Sequence, residues 1–269
     1  MKRFLLTSCT GIALALGGCA TAGTPDADTA AVSTPAAPSG PALWKVADED
    51  TTIYLFGTVH VLPADVEWYD EDIAAALENA DTLVTEIPAD AMEDPALQAA
   101  IMQKAMLPEG QTLRQILSAE DRAVYEQALG KLGMPPAAFD RFEPWFAGMT
   151  LSVLPLIQKG YDPESGVEKI VEAAASKTAQ RAALETVGQQ IDFFDTLPAE
   201  SQTEFLMALA RDLDGMVSMT DEMVAEWLEG DADGLAALMN EGLTDPVLAD
   251  ALLYQRNKRW AEWIDERLD

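Results

Sequence analysis

The chain has 269 residues, with 46 acidic side chains against 17 basic ones, a single histidine and a formal net charge of −29. That charge repels nucleic acid and anionic membrane surfaces and excludes both as electrostatic partners. It reads first as an acidic, solubilising surface, and it also suits cationic partners or divalent metals. Almost half of the residues are hydrophobic, so a full core is permitted, and the length fits one large domain or two small ones.

Residues 1–18 read as an export leader. Lys2 and Arg3 form a basic head, Phe4 to Leu16 an apolar stretch too short for a permanent membrane span, and Leu16-Gly17-Gly18-Cys19 a lipobox. Cleavage before Cys19 would leave that thiol as the lipidation site. It would also leave 15 basic against 46 acidic residues, and no cysteine free to form a disulfide. Residues 19–41 then form an Ala/Thr/Pro-rich tether, too poor in apolar side chains to fold. These segments predict a lipid anchor on a bacterial cell envelope, at the periplasmic face of the outer membrane.

The folded part is expected over 42–269 and opens with strands. Leu43 to Val46 and Thr52 to Phe56 predict a hairpin around the acidic turn Asp48-Glu49-Asp50. The second strand halts at Gly57 and is followed by the only histidine, His60. Asp72 to Ala80 predicts a short helix. A further strand, Thr82 to Pro88, places Glu86 near its end. In open sheets, ligands bind outside the carboxyl ends of strands, so an imidazole and a carboxylate at two such ends form a candidate site.

Helical segments follow near 95–106, 119–130, 136–159, 164–176, 198–212, 217–229 and 233–240. Ser118 is placed to start one of them, Pro144 to occupy a first turn, and Pro155 to kink or end its helix. Between helices, Gln180 to Thr186 is a short β-like interruption ending at Glu185. The last helix, Pro246 to about Leu268, carries Ala249, Leu253, Asn257, Trp260, Ile264 and Leu268 on one face, with Arg256 at its border. Asn257 interrupts that apolar stripe, and a buried amide needs hydrogen-bond partners.

Three stretches carry a family resemblance: Leu43-Trp44-Lys45-Val46, then Ile53-Tyr54-Leu55-Phe56-Gly57-Thr58-Val59-His60-Val61-Leu62-Pro63, then Ala80 to Glu86. Together they resemble the opening of the TraB/GumN family, which is similar to the Tiki metalloproteases and, more distantly, to erythromycin esterase and ChaN-like proteins. Gly166-Val167-Glu168, Leu184-Glu185-Thr186 with Gln190, Trp227 with Gly230-Asp231, and Arg256-Asn257 with Trp260 continue it in order. The resemblance implies an α+β fold, a small mixed β-sheet with a large helical insertion, and it supports the third strand ending at Glu185. Two departures stand out. Glu168 occupies the position where the family pattern usually has aspartate, and the expected final strand with a second Gly-x-x-His motif is not found in this sequence.

The chemistry follows from what the chain holds. It contains no His-Glu-x-x-His pair, no Cys-x-x-Cys pair, no glycine-rich nucleotide loop and no Gly-x-Ser-x-Gly elbow. Asp231-Ala232-Asp233-Gly234 reads as a helix start rather than a calcium loop. His60 with Glu86 could work as a base and its orienting carboxylate. Alternatively, His60, Glu86 and Glu185 could bind a divalent metal of the manganese or cobalt type. Arg256 could hold a substrate carbonyl or carboxylate. The resemblance thus implies a metal-dependent, peptidase-like hydrolase acting on a peptide or other small envelope substrate through His60, Glu86, Glu185, Arg256 and Asn257. The alternative is a non-catalytic peptide- or glycan-binding, inhibitory lipoprotein linked to exopolysaccharide production or peptide-signal shutdown.

Overall fold

The computed structural model describes residues 2–8, 40–242 and 245–268. The expected lipobox, the lipidation site Cys19 and the tether as far as residue 39 lie outside the described residues. The strands are β1 (Lys2–Ser8), β2 (Leu43–Ala47), β3 (Thr51–Gly57), β4 (Leu62–Pro63), β5 (Thr82–Thr85), β6 (Tyr161–Asp162) and β7 (Gln180–Ala183). Five of them form one mixed sheet in the order β2-β3-β1-β5-β7. The β2–β3 pair is antiparallel, the hairpin expected from the sequence, while β3, β1, β5 and β7 run parallel. β4 and β6 pair separately, Leu62 opposite Asp162.

The helices are α1 (Glu71–Asn79), α2 (Pro95–Ala105), α3 (Leu113–Ile116), α4 (Ala119–Lys131), α5 (Pro144–Gln158), α6 (Val167–Ala174), α7 (Val187–Asp195), α8 (Ala199–Arg211), α9 (Leu213–Glu229), α10 (Ala232–Gly242), α11 (Pro246–Ala249) and α12 (Gln255–Leu268). A π-turn over Asp250–Tyr254 joins the last two into one long element, as the sequence predicts. The α+β, helix-rich architecture is therefore the one expected. None of the helices among the described residues is long and apolar enough to cross a membrane.

Local chemistry explains most boundaries. Ser118 caps α4 by accepting from the Asp121 N–H. Glu143 and Pro144 start α5, so the helix begins eight residues later than the periodicity suggests, and 136–143 is turn. Pro155 is tolerated one turn before that helix stops. Helix α7 was not expected, although Thr186 and Gln189 form a reciprocal capping box at its start. Asp231 opens α10 by accepting from the Gly234 N–H, consistent with a helix start.

Two main apolar clusters result. One lies against the sheet and joins Leu5, Phe56, Ile73, Leu83, Val171 and Trp227. The other holds the helical insertion together through Leu113, Tyr125, Leu129, Leu151, Leu206 and Leu213. Because β3, β5 and β7 share a direction, their carboxyl ends reach the same edge, and the chain that follows them carries His60, Glu86 and Glu185.

Candidate functional site

Beyond β3 the backbone is pinned from two sides. Trp227 of α9 donates its indole N–H to the Gly57 carbonyl at 2.8 Å, and the Val167 N–H donates to the Val59 carbonyl at 2.9 Å. Gly166, just before α6, packs against the His60 backbone so closely that an added Cβ would collide with the His60 carbonyl oxygen. The side chain of His60 is 70% exposed, and its Nδ1 lies 3.5 Å from Oε1 of Glu168. The Thr58 hydroxyl donates to that same oxygen at 2.5 Å. Glu168 sits in the first turn of α6, where the helix dipole favours a carboxylate. Crowding by surrounding protein pulls the imidazole pKa down, but Glu168, with the more distant charge of Glu86, outweighs it. The net result is a pKa above the ordinary histidine value.

An apolar cavity of about 260 Å³ opens beside His60, lined by Gly57, Val59, Met223, Val224, Trp227 and Leu235 among others. Of its lining residues, Trp227 packs against Phe56 and Trp68, the three rings meeting with centroids 5.6 to 6.2 Å apart.

Three of the remaining expected residues, Glu86, Glu185 and Arg256, gather into a buried group. Glu86 and Glu185 are joined through the backbone, the Glu185 N–H donating to the Glu86 carbonyl at 2.7 Å. Between their carboxylates lies the guanidinium of Arg256. It donates from Nη2 to Glu86 Oε2 at 2.7 Å and to Glu185 Oε2 at 2.9 Å, and from Nε to Glu185 Oε1 at 3.0 Å. Gln190 donates to both carboxylates, and half-exposed Arg259 reaches Glu185 Oε1 at 3.3 Å. The guanidinium also lies over Trp260, 4.7 Å from its ring centroid. Burial alone would lower the Arg256 pKa; the two carboxylates more than offset it.

Of the five expected residues, Glu86, Glu185 and Arg256 are joined directly by ion pairs. His60 feels the charges of Glu86 and Arg256 but makes its close ion pair with Glu168. Arg256 does not line the cavity that His60 lines. Asn257 is half-buried, and its side chain makes no hydrogen bond to another described residue, because the buried position on the stripe falls to Arg256. Glu168, Thr58 and Arg259 were missed as site residues; Gly166-Val167-Glu168 was the available signal. A divalent ion on His60, Glu86 and Glu185 would have to share the two carboxylates with Arg256. The two carboxylates already share a guanidinium, and among the described residues no group of three or more histidine, cysteine or acidic side chains is placed to hold a metal.

Fold and site together define a helix-rich α+β protein with polar groups at the carboxyl edge of a mixed sheet. The family model described as the TraB/PrgY/gumN family matches residues 42–269, and the chain belongs to that family. No curated protein and no solved structure matches the chain.

Proposed function

We propose that this protein is an envelope-anchored, peptidase-like hydrolase in which His60 acts as general base and Glu168 orients it. One observation carries this reading: the chain's only imidazole stands exposed at the mouth of an apolar cavity, with a carboxylate against Nδ1. In this role Nε2 would take a proton from an attacking water, while Glu168 would stabilise the imidazolium that forms. The cavity would hold an apolar substrate side chain and hold water away from it. Thr58 fixes the Glu168 carboxylate by donating to the oxygen that faces the ring. Arg256, Glu86, Glu185 and Gln190 form an ionic clamp, and of these Glu86 and Arg256 contribute to the field at His60. The lipid anchor at Cys19 and the periplasmic face of the outer membrane belong to the same proposal and rest on the leader-like N-terminus.

A second reading has its own support. Every charge of the buried clamp is satisfied within the protein, the pattern of a structural latch, and an apolar cavity also serves a protein that only sequesters a peptide or glycan. The test separates them. A mixture of synthetic peptides is incubated with the purified chain and with the H60A variant, and cleavage is followed by mass spectrometry alongside binding by calorimetry. Hydrolysis by the parent that falls to background in H60A, with binding retained, supports the hydrolase. Binding without cleavage in both chains supports sequestration and overturns the first reading.

A further inference from the structure

The central position of the five-stranded sheet is filled by Lys2–Ser8, the segment whose sequence reads as the head of an export leader. This strand is not an edge decoration. It pairs in parallel with β3 along its whole length, Lys2 opposite Thr51 through Ser8 opposite Gly57, and with β5 from Phe4 to Leu6. Leu5 is fully buried in the core shared with Phe56 and Leu83, and Phe4 meets Trp263 of α12 edge-on, ring centroids 6.0 Å apart. Apolar contacts on both faces mark an interior parallel strand. Its basic head is read as well. The Arg3 N–H donates to Asp81 Oδ2 at 3.1 Å, the Arg3 guanidinium to Asn79 Oδ1 at 3.0 Å, and the Lys2 N–H to the Asp50 carbonyl at 2.9 Å.

Removing this segment would unpair one side of β3 and one side of β5 in the middle of a core. A buried backbone group left without a partner is costly, and native proteins leave very few such groups. A chain cut before Cys19 loses the strand and keeps the gap. The gap has a definite specificity: an extended peptide, apolar on both faces, entering parallel to β3 and β5, with a guanidinium near its start to meet the Asn79 side-chain oxygen and a backbone N–H to meet Asp81.

We infer that the space between β3 and β5 is a strand-acceptor site, which in the processed chain takes up an extended apolar peptide with a basic head in place of Lys2–Ser8. The recognition is strand addition, backbone hydrogen bonds giving affinity and the Leu5 and Phe4 positions giving selectivity. The biological emptying of the site rests on the export reading above; the acceptor geometry does not.

The experiment uses the full chain with a protease recognition sequence inserted in the 20–39 stretch. The folded protein is cut, carried through mild denaturant, and refolded with a fluorescent synthetic peptide of the sequence Lys-Arg-Phe-Leu-Leu-Thr-Ser. The expected result is saturable uptake read by anisotropy, displaced by unlabelled peptide, and about tenfold or more weaker for peptides carrying L5D or R3E. Hydrogen exchange of the uncut chain should show β3 and β5 amides protected, and less so in full-length L5D. The inference is overturned if the cut chain refolds without the segment and binds no peptide. It is equally overturned if peptide fails to restore a chain that has lost the segment, or if β3 and β5 amides exchange freely in the uncut protein. The N-terminal mass of the exported protein tests processing separately. An uncut N-terminus together with peptide uptake would remove the export reading and leave the acceptor site standing.

Discussion

The Nδ1 atom of His60 lies 3.5 Å from Oε1 of Glu168, across 108 residues of chain, and this pair sets the pH behaviour expected of the site. A base must be deprotonated to work, so activity should rise with pH through the folded pKa of His60, which stands above its ordinary value. Replacing Glu168 by glutamine removes the largest raising influence and leaves the crowding that lowers the pKa. The rising limb of kcat/KM in E168Q should therefore move to lower pH, with a smaller plateau because the ring loses its anchor. A limb that stays in place would dissociate Glu168 from the imidazole. The stability sign runs the other way. A raised histidine pKa stabilises the fold fully below the unfolded value near 6.5 and loses that contribution as pH rises through the folded value. With the ring this exposed, solvent screening keeps the contribution small.

Gly166 owes its place to a close approach rather than to an unusual backbone angle, since its φ is −57°. The G166A variant must push either the His60 carbonyl or the start of α6 outward. Such overpacking costs about 1–3 kcal/mol. The expected outcome is a lowered urea midpoint and a larger loss in kcat than in KM, because the base moves while the cavity stays. Unchanged kcat in a destabilised protein would show that His60 tolerates the shift or does not act.

The cavity beside His60 should set which substrates are accepted. Met223 is half-buried on its wall, and M223W would fill much of the roughly 260 Å³. Losing room for even one methylene changes discrimination by about 10-fold or more. For M223W, kcat/KM should fall by about that factor on peptides with a large apolar residue at the cleavage point, and much less on small ones. A uniform fall on all peptides would place the substrate elsewhere.

What the sequence disclosed and what it hid follow from the range over which each signal acts. The strands before His60 and Glu86 were legible because β-branched runs are local patterns, although β5 stops at Thr85, short of Glu86 and Pro88. Long-range pairing leaves no such trace. Nothing within a few residues of His60 announces Glu168, and the Gly166-Val167-Glu168 run was visible only as a resemblance. On the last helix, a step of four from Leu253 points to Asn257 and a step of three to Arg256. Periodicity permits both, and the buried position went to the residue whose charge Glu86 and Glu185 satisfy. At the N-terminus, Phe4-Leu5-Leu6 serves equally as the start of a leader's apolar stretch and as an interior strand, so composition favoured the first while the fold seats the segment as the second.

The clamp of Arg256, Glu86 and Glu185 yields the sharpest test of the metal question. Its Nη2 lies within 2.9 Å of an oxygen from each carboxylate, so the guanidinium occupies the space a bridging cation would need. While it stays there, divalent ions have no vacant pair of oxygens. Manganese should leave the parent's melting temperature unchanged, and EDTA should leave its hydrolysis unchanged. Substituting R256M keeps much of the side-chain volume but strands two buried carboxylates, a change that costs about 3–5 kcal/mol. R256K should recover little, because one ammonium cannot reproduce the fork that spans both acids. The stranded pair is then itself a hard-oxygen site, and binding to the folded state alone stabilises by mass action. Manganese at millimolar concentration should therefore raise the melting temperature of R256M towards that of the parent, while E86Q/R256M should respond less. If instead the parent loses hydrolysis in EDTA and regains it with manganese, Arg256 must leave the acids during catalysis, and the metal-free assignment of His60 fails with it.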